Sequence, residues 1–196
     1  MPTHCSKSGA VLTLYAKWQA NGYSVRFSNG TGSVTGAMAD QAFIYDEPQA
    51  LSANAFERTG YSFAGWATNQ AGSAVYGDGQ VVSNLTASAN AMFNLYTRWT
   101  TNDYAVTLDM QGGAGGDSSV KAAYGVAMPT ARMPERAGYT FGGYFTSANG
   151  GGTRYYNGDG TSARAWDVPS ATTLYAKWTA NGYAVTFDRH GGSGDL

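Results

Sequence analysis

Cysteine is nearly absent from this sequence: Cys5 stands alone, which excludes an internal disulfide and a cysteine-based zinc site. Histidine is almost as scarce. His4 and His190 lie near opposite ends of the 196-residue chain, neither beside a carboxylate or nucleophile in a recognisable arrangement, so both read as surface-loop residues. Charge is sparse too, at 13% of residues against about 25% in ordinary globular chains, with twelve basic and thirteen acidic residues scattered singly. There is no basic stripe for nucleic acid or an anionic membrane surface to grip, and neither is expected as a partner. No apolar run approaches the ~20 residues of a membrane span. The first fourteen residues lack the continuous apolar stretch of a signal peptide, so no membrane insertion is expected within this chain and any export signal would lie outside it.

What the chain has in quantity is aromatic residues, at 14%, and glycine, at 27 residues. That much apolar material argues against wholesale disorder. The glycines cluster, as in Gly112-Gly113-Ala114-Gly115-Gly116 and Gly150-Gly151-Gly152, and such clusters read as turns between strands.

The chain repeats itself. Leu14-Tyr15-Ala16-Lys17-Trp18, Leu95-Tyr96-Thr97-Arg98-Trp99 and Leu174-Tyr175-Ala176-Lys177-Trp178 nearly coincide, at offsets of 81 and 79 residues. Each is followed after four residues by an aromatic-led block: Tyr23–Phe27, Tyr104–Leu108 and Tyr183–Phe187. A third block, Gly60-Tyr61-Ser62-Phe63-Ala64-Gly65-Trp66, returns 78 residues later as Gly138-Tyr139-Thr140-Phe141-Gly142-Gly143-Tyr144. Three blocks in one order at one spacing establish a duplication. Complete copies run over residues 23–99 and 104–178, leaving 1–18 as the tail of a preceding copy and 183–196 as the head of a following one. A period near 80 is too long for stacked solenoid units, so each copy is read as a small domain with its own core.

Within the blocks apolar residues alternate as on a half-buried strand, which predicts a mainly β or α+β fold with little helix. The predicted core is Tyr23, Val25, Phe27, Tyr61, Phe63, Leu95 and Trp99 in the first copy. In the second it is Tyr104, Val106, Tyr139, Phe141, Leu174 and Trp178. A further strand is expected at Gln41–Tyr45 and at Val120–Tyr124. Pro48–Phe56 offers one short helix, with Leu51 and Ala55 on one face, but Pro129 and Pro134 interrupt the matching stretch of the second copy. The fragments 1–18 and 183–196 lack their partner strands and are expected either to be poorly ordered or to dock on a neighbouring edge, exposing Leu12, Leu14, Trp18, Val185 and Phe187.

The order aromatic-x-Val-x-Phe, Gly-rich loop, Tyr124-Gly125, Pro-rich spacer, Gly-Tyr-x-Phe-x-Gly-Trp and closing Leu-Tyr-Ala-Lys-Trp resembles the internalin B-repeat, also called the Listeria–Bacteroides repeat. The first copy departs from it with Tyr45-Asp46 in place of Tyr-Gly, the second with Tyr144 in place of Trp. The resemblance implies tandem β-grasp-like, ubiquitin-type modules on a bacterial surface or secreted protein, serving as stalk, spacer or adhesion-associated segment. It implies no catalytic residues and no cofactor.

Candidate chemistry is weighed against that reading. Asp78 and Asp159 could pair as acid and base, but no spacing selects them. Gly112 to Asp117 matches the start of a calcium-binding nonapeptide, and Gly77-Asp78-Gly79 with Asn157-Gly158-Asp159-Gly160 recur at equivalent places; turn chemistry accounts for all three. On the register opposite the core, Tyr15, Trp66, Tyr96 and Tyr175 are candidates for a face that stacks on sugar rings. Trp166 has no counterpart in the first copy. The sequence therefore reads as a non-enzymatic module whose partners are neighbouring repeats, the rival being a module that binds carbohydrate or a host ligand through outward aromatics.

Overall fold

The computed structural model describes residue 11, residues 13–188 and residues 190–191. His4, Cys5 and Leu12 lie outside the described residues. Strands and isolated bridges together take 44% of the described residues, and a single 3-10 turn, Ala148–Gly150, is the only helical element among them, so the protein is mostly β. The chain forms two compact units. One holds the described residues up to Glu57 together with Ala64–Arg98; the other holds Arg58–Phe63 and the described residues from Trp99 onward. The boundary therefore does not fall where the sequence repeats: a short piece of the first copy, Arg58–Phe63, belongs to the second unit.

The first copy contributes β1 (Gly22–Ser28), β2 (Gln41–Ile44), β3 (Gln49–Ala50), β4 (Tyr61–Ala67), β5 (Val81–Val82) and β6 (Met92–Thr101). The second contributes β7 (Asp103–Asp109), β8 (Ser119–Ala123), β9 (Tyr139–Ser147), β10 (Gly151–Tyr156) and β11 (Thr172–Ala180). Sheet order is β2-β1-β6-β4 in the first copy and β8-β7-β11-β9-β10 in the second. The opening strand pairs antiparallel with the next strand and parallel with the closing one in both. Register is shared as well: Phe27 faces Leu95 in the first copy, and the equivalent Leu108 faces Leu174 in the second. In the first copy the counterpart of β10 is reduced to a single bridge, Trp66 to Tyr76.

Alternation in β1 buries Tyr23, Val25 and Phe27 and exposes Arg26, which makes a bidentate pair with Asp40 at 2.8 and 3.0 Å. Behind this strand Phe27 packs on Trp66 with ring centroids 4.9 Å apart, and Phe43, Leu51, Phe56, Val82 and Leu95 complete the core. The second unit buries Val106, Leu108, Tyr144, Tyr155, Tyr156, Trp166, Leu174 and Ala176.

Three expectations need correction. Pro48–Phe56 is not helical: Gln49 and Ala50 pair with β5, and the buried residues there are Leu51 and Phe56, not Leu51 and Ala55. The backbone there is bonded outward and not along a helix: the Leu51 N–H donates to the Gln80 carbonyl and the Ser52 N–H to Gln41 Oε1. Tyr139, expected in the core, is 38% exposed at the tip of β9, one residue past Gly138. Trp66, expected to face outward, is fully buried. Its orientation follows from a bulge: between Phe141 and Tyr144 β9 advances three residues while its partner β11 advances two, and Gly143 there has φ 111°. At the equivalent place in the first copy Gly65 has φ 130°, and the half-buried Phe63 is followed three residues on by the buried Trp66. One extra residue reverses the alternation and turns Trp66, or Tyr144, inward.

The terminal blocks that match strands elsewhere are not strands here. Leu14, Tyr15 and Trp18, like Tyr183, Val185 and Phe187, are exposed along irregular chain and are not docked on a sheet edge. In each complete copy these blocks pair with each other in parallel, and the described residues around each fragment provide no such partner.

Candidate functional site

A sugar-stacking face would need exposed rings held by strands. Among the described residues the exposed aromatics are Tyr15, Trp18, Tyr183 and Phe187 on irregular chain, and Tyr139 alone on a strand. Tyr96 and Tyr175 are half-buried on β6 and β11. The four sequence candidates, Tyr15, Trp66, Tyr96 and Tyr175, therefore do not come together on one face.

The predicted core residues divide in two. Tyr23, Val25, Phe27, Leu95, Val106 and Leu174 are buried, whereas Tyr61, Phe63, Trp99, Tyr104, Phe141 and Trp178 are half-buried toward the strand ends. In the second unit this fringe makes an open groove of about 430 Å³, lined by Pro134, Arg136, Tyr139, Phe141 and Trp178. The Arg136 guanidinium stands 4.0 Å above the Tyr139 ring, a cation–π stack that holds the ring flat. Phe141 meets Trp178 at 5.4 Å, and the indole Nε1–H donates to the carbonyl of Met110 at 2.8 Å. The groove is apolar at its floor, with the cation of Arg136 and the carboxylate of Glu135 both in its lining. That composition suits a ring or a short apolar segment.

The acidic loops are occupied by their own backbone. An Asp117 carboxylate oxygen accepts the Arg132 N–H at 2.8 Å, and one of Asp78 accepts that of Asn54 at 2.7 Å. Asp159 accepts both the hydroxyl and the N–H of Thr161, and these hydrogen bonds hold its carboxyl below the usual range. Among the described residues no three His, Cys, Asp or Glu side chains converge where a metal would sit. Asp78 and Asp159 belong to different units.

Sequence reasoning missed Trp166. It is fully buried and packs on Tyr155 at 4.7 Å, while the Tyr155 hydroxyl donates to Asp167, itself paired with Arg164. A residue with no counterpart in the other copy gives no periodic signal, so only its size pointed inward.

Two relatives align over nearly the whole chain. A protein of Evansella cellulosilytica provisionally named a Gly-rich membrane protein is 32% identical over 188 residues, 93% of this chain and 19% of that protein. A second protein of the same organism, provisionally named a membrane protein, is 31% identical over 183 residues, 90% of this chain and 24% of its own length. The chain thus spans about a fifth to a quarter of the relatives it matches. The model of the Listeria–Bacteroides repeat domain matches twice, over residues 23–90 and 104–177. With most of its length covered by two consecutive matches and the same strand register in each, this chain belongs to the Listeria–Bacteroides repeat domain family.

Proposed function

We propose that the chain is a non-enzymatic spacer segment of a bacterial cell-surface or envelope protein, in which tandem β-grasp-like modules of the internalin B-repeat kind extend another part of the polypeptide, with adhesion as the role this extension serves. The observation that carries the reading is the junction between copies. Only Asn102 separates the closing strand β6 from the opening strand β7. Even the four residues between Trp99 and Tyr104 span at most ~14 Å, so successive modules add length without adding slack. Sheet order, with the first and last strands parallel at the centre, supports the β-grasp comparison, an extended crossover taking the place of its helix. The inward turn of Trp66 supports a structural use for the aromatics. The provisional names of the two relatives support an envelope location.

A rival reading, a module that binds glycan, is favoured by the groove beside Tyr139. Two measurements separate them. Stretching single molecules should give discrete unfolding events, each releasing about 260 Å of chain for a copy of this length. A glycan array should give no saturable binding. Saturable binding lost in Tyr139→Ala would replace the spacer reading with the rival.

A further inference from the structure

The hydrogen bonds around Tyr61 and around Tyr139 are the same, yet one of these surfaces is covered and the other is open. In the second unit, the Asn102 N–H donates to the Gly60 carbonyl at 2.9 Å, and Ser62 Oγ donates to Asn102 Oδ1 at 2.6 Å. The Arg58 guanidinium lies 3.9 Å from the centre of the Tyr61 ring. Onto this frame comes Tyr124, at the end of β8. Its N–H donates to the Asn102 carbonyl at 3.0 Å, and its ring meets Tyr61 edge-on at 5.8 Å and 75°. That ring also covers Gly60 so closely that a Cβ there would lie 2.2 Å from it.

Seventy-eight residues on, or 79 for the asparagine, every part of the frame recurs. Asn181 N–H donates to Gly138 carbonyl at 2.8 Å, Thr140 Oγ1 donates to Asn181 Oδ1 at 2.7 Å, and Arg136 covers one side of Tyr139 at 4.0 Å. Gly138 even keeps the φ of Gly60, 79°. The covering ring is what differs. Among the described residues nothing lies within 4 Å of a Cβ built on Gly138, and Tyr139 is 38% exposed.

We propose that Gly138, Tyr139 and the backbone carbonyl of Asn181 form a socket for the tyrosine that ends the second strand of a further copy of this repeat. The plug has a recurring form in this chain. Tyr45 in the first copy donates its N–H to the Asn21 carbonyl at 2.9 Å, as Tyr124 does to Asn102, and each tyrosine precedes a residue at positive φ, Asp46 at 66° and Gly125 at 74°. A Cβ on Gly125 would stand 3.1 Å from the Tyr61 hydroxyl, a tight approach that glycine relieves. An edge-on tyrosine pair over a glycine and one backbone hydrogen bond then fixes each copy to the one before it.

The inference rests on the spacer reading only in supposing that a further copy follows. It is tested by extending the full chain with a duplicate of its own second copy, joining residue 182 to residues 104–196, since Tyr104-Ala105-Val106-Thr107 repeats Tyr183-Ala184-Val185-Thr186. The added copy carries Tyr139→Phe, which leaves a single Tyr139 for tyrosine nitration mapped by mass spectrometry to read. In the chain as it is, Tyr139 reacts readily and Tyr61 slowly. In the extended chain the Tyr139 preceding the added copy loses most of its reactivity, and Gly138→Ala there lowers the melting temperature as Gly60→Ala does. Unchanged nitration of Tyr139 on extension, or a Gly138→Ala effect independent of chain length, overturns the socket. Protection of Tyr139 by a glycan in the unextended chain would instead overturn the spacer reading.

Discussion

Gly113 lies beneath the indole of Trp178: a Cβ built on this glycine would stand 2.5 Å from the ring. The Gly-rich loop after β7 is therefore a packed surface whose lack of side chains admits a tryptophan. Gly113→Ala should destabilise the second unit by about 1–3 kcal/mol through overpacking. Trp178→Ala should cost ~2 kcal/mol, below the usual cost for a fully buried tryptophan because the ring is only half-buried. Chemical denaturation of both variants checks this. A Gly113→Ala variant as stable as the parent would mean that the loop moves away freely.

The bulge at Gly143 predicts a sharper contrast between neighbours. A Cβ on Gly143 would lie 2.2 Å from the Tyr156 carbonyl oxygen, and its φ of 111° strains any side chain. On Gly142 the nearest atom is Cδ of the flexible Lys177, at 3.2 Å. Gly143→Ala should cost more than ~3 kcal/mol, enough to unfold a marginal module, while Gly142→Ala costs under ~1 kcal/mol. Similar melting temperatures for the two would remove the bulge as the cause of the inward turn.

That bulge also marks where the sequence stops being legible. Repetition located the opening, middle and closing strands, because Tyr23, Val25 and Phe27 obey the period-two rule throughout β1. The same rule carried past Gly65 puts Trp66 outside, since a one-residue insertion has no compositional signature beyond glycine itself. Tyr139 misled for a different reason: alternation assigns it a face, but the strand tip on which it lies extends beyond the core. The groove beside it joins Pro134 and Arg136 to Trp178, a long-range contact that no local pattern encodes.

Tyr144 occupies the place of Trp66 and carries a hydroxyl that Trp66 does not. Among the described residues that buried oxygen has no hydrogen-bond partner, whereas the neighbouring Tyr156 hydroxyl donates to the Pro129 carbonyl at 2.6 Å. Tyr144→Phe should raise stability by about 1 kcal/mol, and Tyr156→Phe should lower it by a similar amount. Thermal melts of the two variants should move in opposite directions. A loss in Tyr144→Phe would reveal a partner for that oxygen.

The Gly-Asp-Gly loops predict indifference to calcium. Asp159 accepts the N–H of Thr161 within its own turn, and Asp78 and Asp117 accept those of the distant Asn54 and Arg132, so a cation would have to displace a backbone hydrogen bond at each. Melting temperature should be the same in chelator and in millimolar calcium. A calcium-dependent rise abolished by Asp159→Asn would reinstate the metal reading.

Alkaline pH should unfold the second unit selectively. Burial pushes the phenols of Tyr144, Tyr155 and Tyr156 up to about 12, with the hydrogen bond to Asp167 adding to the effect at Tyr155. In the unfolded chain the same groups ionise near pH 10, so between the two values the unfolded state releases protons that the folded state retains. The stability these phenols contribute is thus fully present below about pH 10 and is lost as pH rises through about 12. Three such tyrosines crowd one core, in which Tyr144 and Tyr156 lie 6.1 Å apart, so ionisation of one raises the cost of ionising the next. The sheet signal in circular dichroism, followed on a pH titration, should be lost in a single cooperative step in that window. Tyr144→Phe should move the step upward by removing one ionisable group. A step at the same pH in Tyr144→Phe, Tyr155→Phe and Tyr156→Phe would show that these phenols do not drive the unfolding.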